Sequence, residues 1–343
     1  MQAPTVFNQP ITDIYGRDVS GLCMAAQLQA IDDAFDFWRS QGFPYPKTCI
    51  NIALRELELL KSIGSKDLDH VLERPSSVGL RTANSLQRNL WNVKVKGRSP
   101  LECFENDESL RKILIRAVRL RPDRKCWSAN EVRTFSGLYN RSRASNFRPT
   151  VAKVIYERYS GAGSQVLDFS AGFGGRAFAA MAAGREYHAI DPEKCQIRGI
   201  NELKKLVGGI TKTWVGCAED ILPKIEDASY EIVFSSPPYF NLEKYSPNPK
   251  QSYKRYPEFE SWISGFLQPV VSHAYRILQK GGYFVVNIAN IPRFEVGDRF
   301  RNMAENLFGT PIWVHSLMLQ ANPSYIAKFG SFKRREPIFV FRK

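Results

Sequence analysis

The sequence predicts a chain in two parts: a mainly α-helical domain over residues 1–145, and an α/β domain over 146–343 built on a mostly parallel sheet. Three observations predict it. Up to residue 145 the apolar residues recur at helical spacing, with little strand signal and no internal repeat. From Val151 onward short apolar runs alternate with helical stretches, the pattern of a parallel sheet with crossover helices. Within that alternation, one strand runs into a Gly-rich loop and another into a double proline, and ligands of open α/β sheets bind at such strand ends.

Taken in order, residues 1–20 carry prolines and polar side chains without periodicity and read as an arm. Leu28, Ile31, Ala34, Phe35 and Trp38 give a helix over 25–40, broken by Gly42-Phe43-Pro44-Tyr45-Pro46. A second helix is expected over 49–63, with Ile50, Leu54, Leu57 and Leu60 on one face, and further helices over 76–92 and 109–120. The α/β part opens with a helix over 151–159 and the turn Gly161-Ala162-Gly163. Strands follow over 165–169, 187–190, 212–216, 230–234 and 283–288, with helices over 176–183, 195–207, 259–278 and 299–307 between and after them. Strands over 313–320 and 337–341 complete a set of seven as a terminal antiparallel hairpin.

No apolar run is long enough to span a bilayer, and Met1 opens no signal-peptide pattern. The six cysteines are scattered, without a CxxC pair or a His-Cys cluster. That argues against a metal site and against a disulfide framework, and fits a cytoplasmic protein. A formal charge of +14 favours a polyanionic partner. The excess is concentrated: between Arg111 and Arg148 eleven basic residues face only Asp123 and Glu131, a net of +9. Arg111, Lys112, Arg116, Arg119, Arg124, Lys125, Arg141 and Arg143 are the candidate phosphate contacts there, with Trp127, Phe135, Tyr139 and Phe147 interleaved as rings able to stack on bases. The alternative is a solvated helix face whose aromatics are core.

Asp168-Phe169-Ser170-Ala171-Gly172-Phe173-Gly174 joins a strand to a helix, and its glycines permit a tight turn and close backbone approach to a ligand. Asp191 ends the second strand, where a carboxylate can accept ribose hydroxyls, and Glu219-Asp220 follow the third. Acidic strand ends without a Walker lysine suit an adenosine-type ligand carrying few or no phosphates. Downstream, the buried run Tyr230–Phe234 meets Ser235-Ser236-Pro237-Pro238-Tyr239-Phe240. Two prolines cannot continue a ladder, so the strand stops and presents a rigid loop. The polar stretch 241–257 that follows offers Lys244, Lys254 and Arg255 as further nucleic-acid contacts, placed to close over a base or touch a strand.

These motifs resemble the S-adenosylmethionine-dependent amino-methyltransferases of DNA, whose glycine motif is commonly Asp-Pro-Phe-x-Gly-x-Gly. Asp168, Gly172 and Gly174 match it; Phe169 and Ser170 depart from it. Ser236-Pro237-Pro238-Tyr239 matches the family's catalytic motif. Phe147-Arg148-Pro149 is similar to its segment lining the methionine end of the cofactor. The resemblance implies a Rossmann-like class I methyltransferase fold over 146–343 and S-adenosylmethionine contacts at Phe147, Pro149, Asp168, Ser170, Gly172, Gly174, Asp191, Glu219 and Asp220. It implies methyl transfer to an exocyclic amino group of a flipped DNA base, as in DNA modification and restriction-modification. Ser236 and the Pro237 carbonyl would accept the amino N–H groups, Pro238 would stiffen the loop, and Tyr239, with Phe240, would stack on the base. Serine at the first motif position favours cytosine N4. Adenine N6, an RNA or protein amino group, and a catalytically silent nucleic-acid-binding protein remain the alternatives. No recognition domain is inserted between the two motifs, so the helical part or the polar loop would grip the target.

Overall fold

The computed structural model describes residues 24–95, 97–120, 127–139, 144–319 and 334–343. The chain divides into two compact units, Met1–Pro46 with Trp91–Ala144, and Lys47–Leu90 with Ser145–Lys343. This differs from a single boundary at 145, because Lys47–Leu90 packs with the α/β part. Periodicity shows that the helix Ile50–Lys61 has a face to bury, but not against what. Its Leu57 and Leu60, with Leu68, Val71 and Leu72 of the helix Leu68–Glu73, share one core cluster with Val151, Ile155 and Tyr156. Gln87 Nε2 donates to Gln196 O at 3.0 Å, and Gly199 makes room for it: a Cβ there would fall 2.4 Å from Gln87 Nε2.

The first unit holds the helices Met24–Gln41, Pro100–Glu105, Asp107–Leu120 and Ala129–Tyr139. Pro100–Glu105 begins with a capping box, Ser99 with Glu102, and Pro100 in its first turn, a helix-start signature carried by the sequence itself. Phe35, Trp38, Phe104, Leu114, Trp127 and Phe135 form its core. Trp38 Nε1 donates to Trp127 O and Trp127 Nε1 to Leu114 O, both at 3.0 Å. Trp127 and Phe135 are therefore corrected from stacking rings to core residues.

In the second unit the strands are β1 Gln165–Asp168, β2 Glu186–Asp191, β3 Thr211–Val215, β4 Tyr230–Ser235, β5 Leu278–Asn287, β6 Trp313–Leu319 and β7 Arg334–Arg342. They form one sheet in the order β3-β2-β1-β4-β5-β7-β6. β1 to β5 are parallel, while β7 runs antiparallel to both β5 and β6. This is the Rossmann-like methyltransferase arrangement, with its mostly parallel seven strands and terminal antiparallel pair. Alternate residues face opposite layers, as the pleat requires. Val166, Ile232, Phe234 and Val285 enter one apolar cluster; Leu167, Val233, Phe284 and Val286 enter the other.

Two helices differ from expectation. The stretch 76–92 forms only the short helix Leu80–Ser85 and the 3₁₀ turn Arg88–Asn92. The stretch 259–278 is Phe259–Trp262, a π-turn over Ile263–Leu267 and then Gln268–Ile277. At the π-turn the Tyr256 ring lies so close over Gly265 that a Cβ would fall 2.2 Å from it. No helix among the described residues is long and apolar enough to cross a membrane.

Candidate active site

From β1 the chain winds outward to β2 and β3, then crosses back to β4 on the other side of β1. The crevice at the carboxyl ends of β1 and β4 is thus the topological switch point. Asp168 ends β1 and Ser235 ends β4, and Ser235 Oγ donates to Asp168 Oδ1 at 2.7 Å. The Gly-rich loop and the double-proline loop start from this bond.

Asp168 is fully buried and both its oxygens are engaged. Arg176 Nε donates at 2.6 Å, Tyr187 Oη at 2.7 Å and the Ser170 amide at 3.2 Å. Burial works against the Arg176 cation, but the Asp168 carboxylate outweighs it and pushes the guanidinium further up. The Asp168 carboxylate faces inward and orders the loop from below. Above it Gly172, at φ +58°, donates its amide to Asp191 Oδ2 at 2.9 Å. Gly174, at φ +78°, caps the helix Gly175–Ala182.

The segment carrying Phe147 and Pro149 reaches the same loop through Asn146, a residue that no sequence pattern marked. Asn146 Oδ1 accepts the Gly175 amide at 3.1 Å, while Nδ2 donates to Phe173 O at 2.8 Å. The approach admits only glycine at 175, where a Cβ would lie 2.0 Å from Phe147 O. Phe147 stands edge-on to Phe234, with ring centroids 5.6 Å apart. Pro149 is buried at the start of the helix Pro149–Tyr159, against Gly79.

On the flank of the crevice Asp191 also accepts the Glu193 amide at 2.9 Å, and burial pushes its carboxyl up to about 7. Glu219 and Asp220 open the short helix after β3. Arg255 holds Asp220 through two bonds of 2.6 and 3.2 Å, which pulls that carboxyl down. It lies 2.9 Å from Glu219 Oε1, which has no aligned hydrogen bond, and burial pushes Glu219 up.

Arg255 belongs to the polar stretch after the motif, which lies along these strand ends. Ser246 and Gln251 both donate to Glu193, Gln251 at 2.7 Å. Asn248 Nδ2 donates to Pro192 O at 3.1 Å, and the Tyr245 ring lies 6.1 Å from that of Phe173. Of the three cations expected to meet nucleic acid here, Lys254 donates to Pro247 O and Arg255 pairs with Asp220 and Glu219; Lys244 is exposed. The charges of the loop mostly serve its own fold.

The motif itself is Ser236-Pro237-Pro238-Tyr239. Ser236 Oγ donates to Asn287 Oδ1 at 3.5 Å. Tyr239 Oη has acceptors at 3.3 Å in both Asn287 O and Glu336 Oε2. Burial, followed by the Glu336 charge, pushes the Tyr239 hydroxyl well above the usual tyrosine range. Phe240 is corrected from a stacking ring to an anchor: at φ +52° it packs on Phe259, Trp262 and Phe294 with centroids 5.0–5.8 Å away.

In the helical unit Arg111 pairs with Asp32 and lies 4.1 Å over the Phe35 ring, Lys112 pairs with Glu108, and Arg116 is exposed. Arg119 lies on the helix Asp107–Leu120. The Arg119 side chain and Arg124, Lys125, Arg141 and Arg143 lie outside the described residues. At the start of β7 Arg335 pairs with Glu73 at 2.6 Å; Lys328, Lys333 and the Arg334 side chain lie outside the described residues.

Residues 230–343 match the DNA methylase family of N6/N4 type. The match opens at β4 and takes in the Ser236 motif, β5 and the terminal antiparallel pair. No curated protein matches the chain. Among solved structures, TrmN from Thermus thermophilus is similar at 14% identity and a TM-score of 0.36, over 57% of this chain and 48% of its own. The chain therefore spans about half the length of TrmN. The T. thermophilus 16S rRNA N2 G1207 methyltransferase, solved with AdoMet and guanosine, is similar at 15% identity and a TM-score of 0.39, over 58% of this chain and 44% of its own. A Burkholderia thailandensis 1,6-didemethyltoxoflavin-N1-methyltransferase, solved with bound 1,6-didemethyltoxoflavin and S-adenosylhomocysteine, is similar at 11% identity and a TM-score of 0.40, over 57% of this chain and 77% of its own.

Proposed function

We propose that this chain transfers a methyl group from S-adenosylmethionine to an exocyclic amino nitrogen of a DNA base turned out of its stack, with cytosine N4 as the acceptor. The observation that carries the reading is the Ser235–Asp168 bond at the switch point. It fixes the start of the double-proline loop against the start of the Gly-rich loop, so that donor and acceptor would meet in one crevice. The match of residues 230–343 to the DNA methylase family supports the chemistry, and the net charge of +14 supports a polyanionic substrate.

The residues at this edge fit the cofactor. A Cβ at Gly172 would meet only Ser170 O, at 3.8 Å, so the loop backbone is open on that side. Glu219 Oε1 is a buried acceptor without an aligned donor. Asp191 stands at the end of β2, where ribose hydroxyls would be accepted. When bound, the cofactor supplies an electrophilic sulfonium methyl.

The rest falls to the chain. The lone pair of a base amino group is delocalised into the ring, so the nitrogen is a poor nucleophile. Ser236 Oγ and the Pro237 carbonyl would accept its two N–H groups, localise the lone pair and aim it. The prolines hold those acceptors still, since a misplacement of about 1 Å can cost about 100-fold. Tyr239, tied by its hydroxyl to β5 and β7, would offer its ring to the flipped base.

The test is transfer of tritiated methyl groups to DNA and to RNA, followed by digestion to nucleosides. Label in N4-methylcytosine of DNA is the expected result. Label in N6-methyladenine would move the target base, and label confined to RNA would overturn the DNA reading. Ser236→Ala should cut transfer about 100- to 1000-fold, to a residual rate that can still be measured, and leave cofactor binding intact.

A further inference from the structure

Ser236 poses a problem of polarity for the reading just given. A hydroxyl carries one donor and two acceptor lone pairs, and its proton rotates to whatever partner is offered. To accept an amino N–H, Ser236 must have its own proton directed elsewhere; a proton aimed at the substrate would oppose the amino hydrogen. An aspartate or asparagine at the same motif position presents an oxygen with no proton on it, so the problem belongs to serine.

We propose that Asn287 is a positioning residue that draws the Ser236 proton inward, and so makes the serine an acceptor toward the substrate. Asn287 Oδ1 lies 3.5 Å from Ser236 Oγ, long for a hydroxyl bond; the other oxygen offered to that proton, the Tyr239 hydroxyl, belongs to the motif itself and is tied to the same two strands. The Asn287 amide cannot turn its NH₂ group to the serine without losing the bond that Nδ2 gives to Pro337 O at 3.1 Å. Asn287 is itself 4% exposed, at the last position of β5, paired with Ile338 of β7. The sheet therefore fixes its orientation before any substrate arrives. Tyr239 follows the same rule: its proton faces Asn287 O and Glu336 Oε2, so both motif hydroxyls point their protons at β5 and β7. Asn287 would touch neither base nor cofactor and would act only through Ser236.

The inference rests on the methyl-transfer reading, and a double-mutant cycle separates the two. Asn287→Leu keeps the volume and removes the acceptor. It should lower kcat about 10- to 100-fold, with the KM for DNA and cofactor binding little changed. In the Ser236→Ala background the same substitution should cost less than about twofold, because no proton remains to be directed. Losses that simply multiply across the two backgrounds, or an unaffected Asn287→Leu enzyme, would overturn the proposal. Cofactor binding by calorimetry reports folding independently of activity; if Asn287→Leu loses it, Asn287→Ala takes its place in the cycle. Wild-type protein that binds cofactor yet methylates no base would defeat the methyl-transfer reading itself, and Asn287 would then have no such role.

Discussion

Asp168 is the point at which the fold and the proposed chemistry can be tested by one substitution. Asp168→Asn keeps the shape and removes the charge. In the native protein its oxygens take bonds from Arg176 at 2.6 and 3.2 Å, Tyr187 at 2.7 Å and Ser235 at 2.7 Å, all in the buried layer beneath the Gly-rich loop. The substitution leaves the Arg176 cation buried without its counter-charge, and turns one oxygen into a donor facing donors. Leaving one member of such a pair costs about 3–5 kcal/mol. Ser235→Ala deletes a single bond to a carboxylate and should cost about 1.5–3 kcal/mol. Urea unfolding measures both, provided that the dependence on denaturant is unchanged. Adding Arg176→Met to Asp168→Asn should recover part of the loss, because the unmatched cation is gone. A loss below about 1 kcal/mol for Asp168→Asn, or none recovered in the double variant, would refute the view that this pair holds the loop.

Three further outcomes are expected. Gly175→Ala would set a Cβ 2.0 Å from Phe147 O, so it should push the Asn146–Phe147 segment off the loop and abolish cofactor binding measured by calorimetry. The Asp191 carboxyl is raised to about 7 in the fold, so the folded state holds its proton more tightly than the unfolded chain. Its contribution to stability is thus fully present below about pH 4, the ordinary aspartate range, and is lost as pH rises through about 7. Asp191→Asn should flatten the thermal stability profile between those limits, seen in melting scans without cofactor. Arg255→Ala should free residues 241–257 from Asp220, visible as faster amide exchange in that stretch.

The α/β part was legible because its signals are local. Each strand is a short apolar run closed by turn residues, and Gly172, Gly174, Pro237 and Pro238 announce conformations that few other residues adopt. Their convergence at one sheet edge followed from the topology that alternation dictates. Asn146, Asn287 and Glu336 stayed hidden because they act through partners 29, 51 and 97 positions away, and polar residues in loops or at strand ends carry no periodic mark. The aromatics misled for a related reason. Trp127 and Phe135 lie among cations in sequence, yet Trp127, just ahead of the helix Ala129–Tyr139, and Phe135 within it are both buried in the core of the helical unit. Phe240, next to Tyr239, takes a positive φ and packs on Phe259, Trp262 and Phe294 as the anchor of the loop.

The way the chain is shared between its two units bears on how the protein can be made. It passes from one to the other after Pro46, Leu90 and Ala144, so neither unit is a continuous stretch. During synthesis the first 46 residues emerge before their partners at 91–144 exist, and 47–90 emerge before β1 has been translated. Their apolar faces must wait, exposed, for the later half of the chain. The same threading undermines dissection. A fragment starting at residue 146 would lack the helices Ile50–Lys61 and Leu68–Glu73, and would leave Val151, Ile155 and Tyr156 without part of the cover they have in the whole protein. Insolubility of that fragment would say nothing about the whole protein; the helices that lie on the sheet would remain, stripped of the two that cover them.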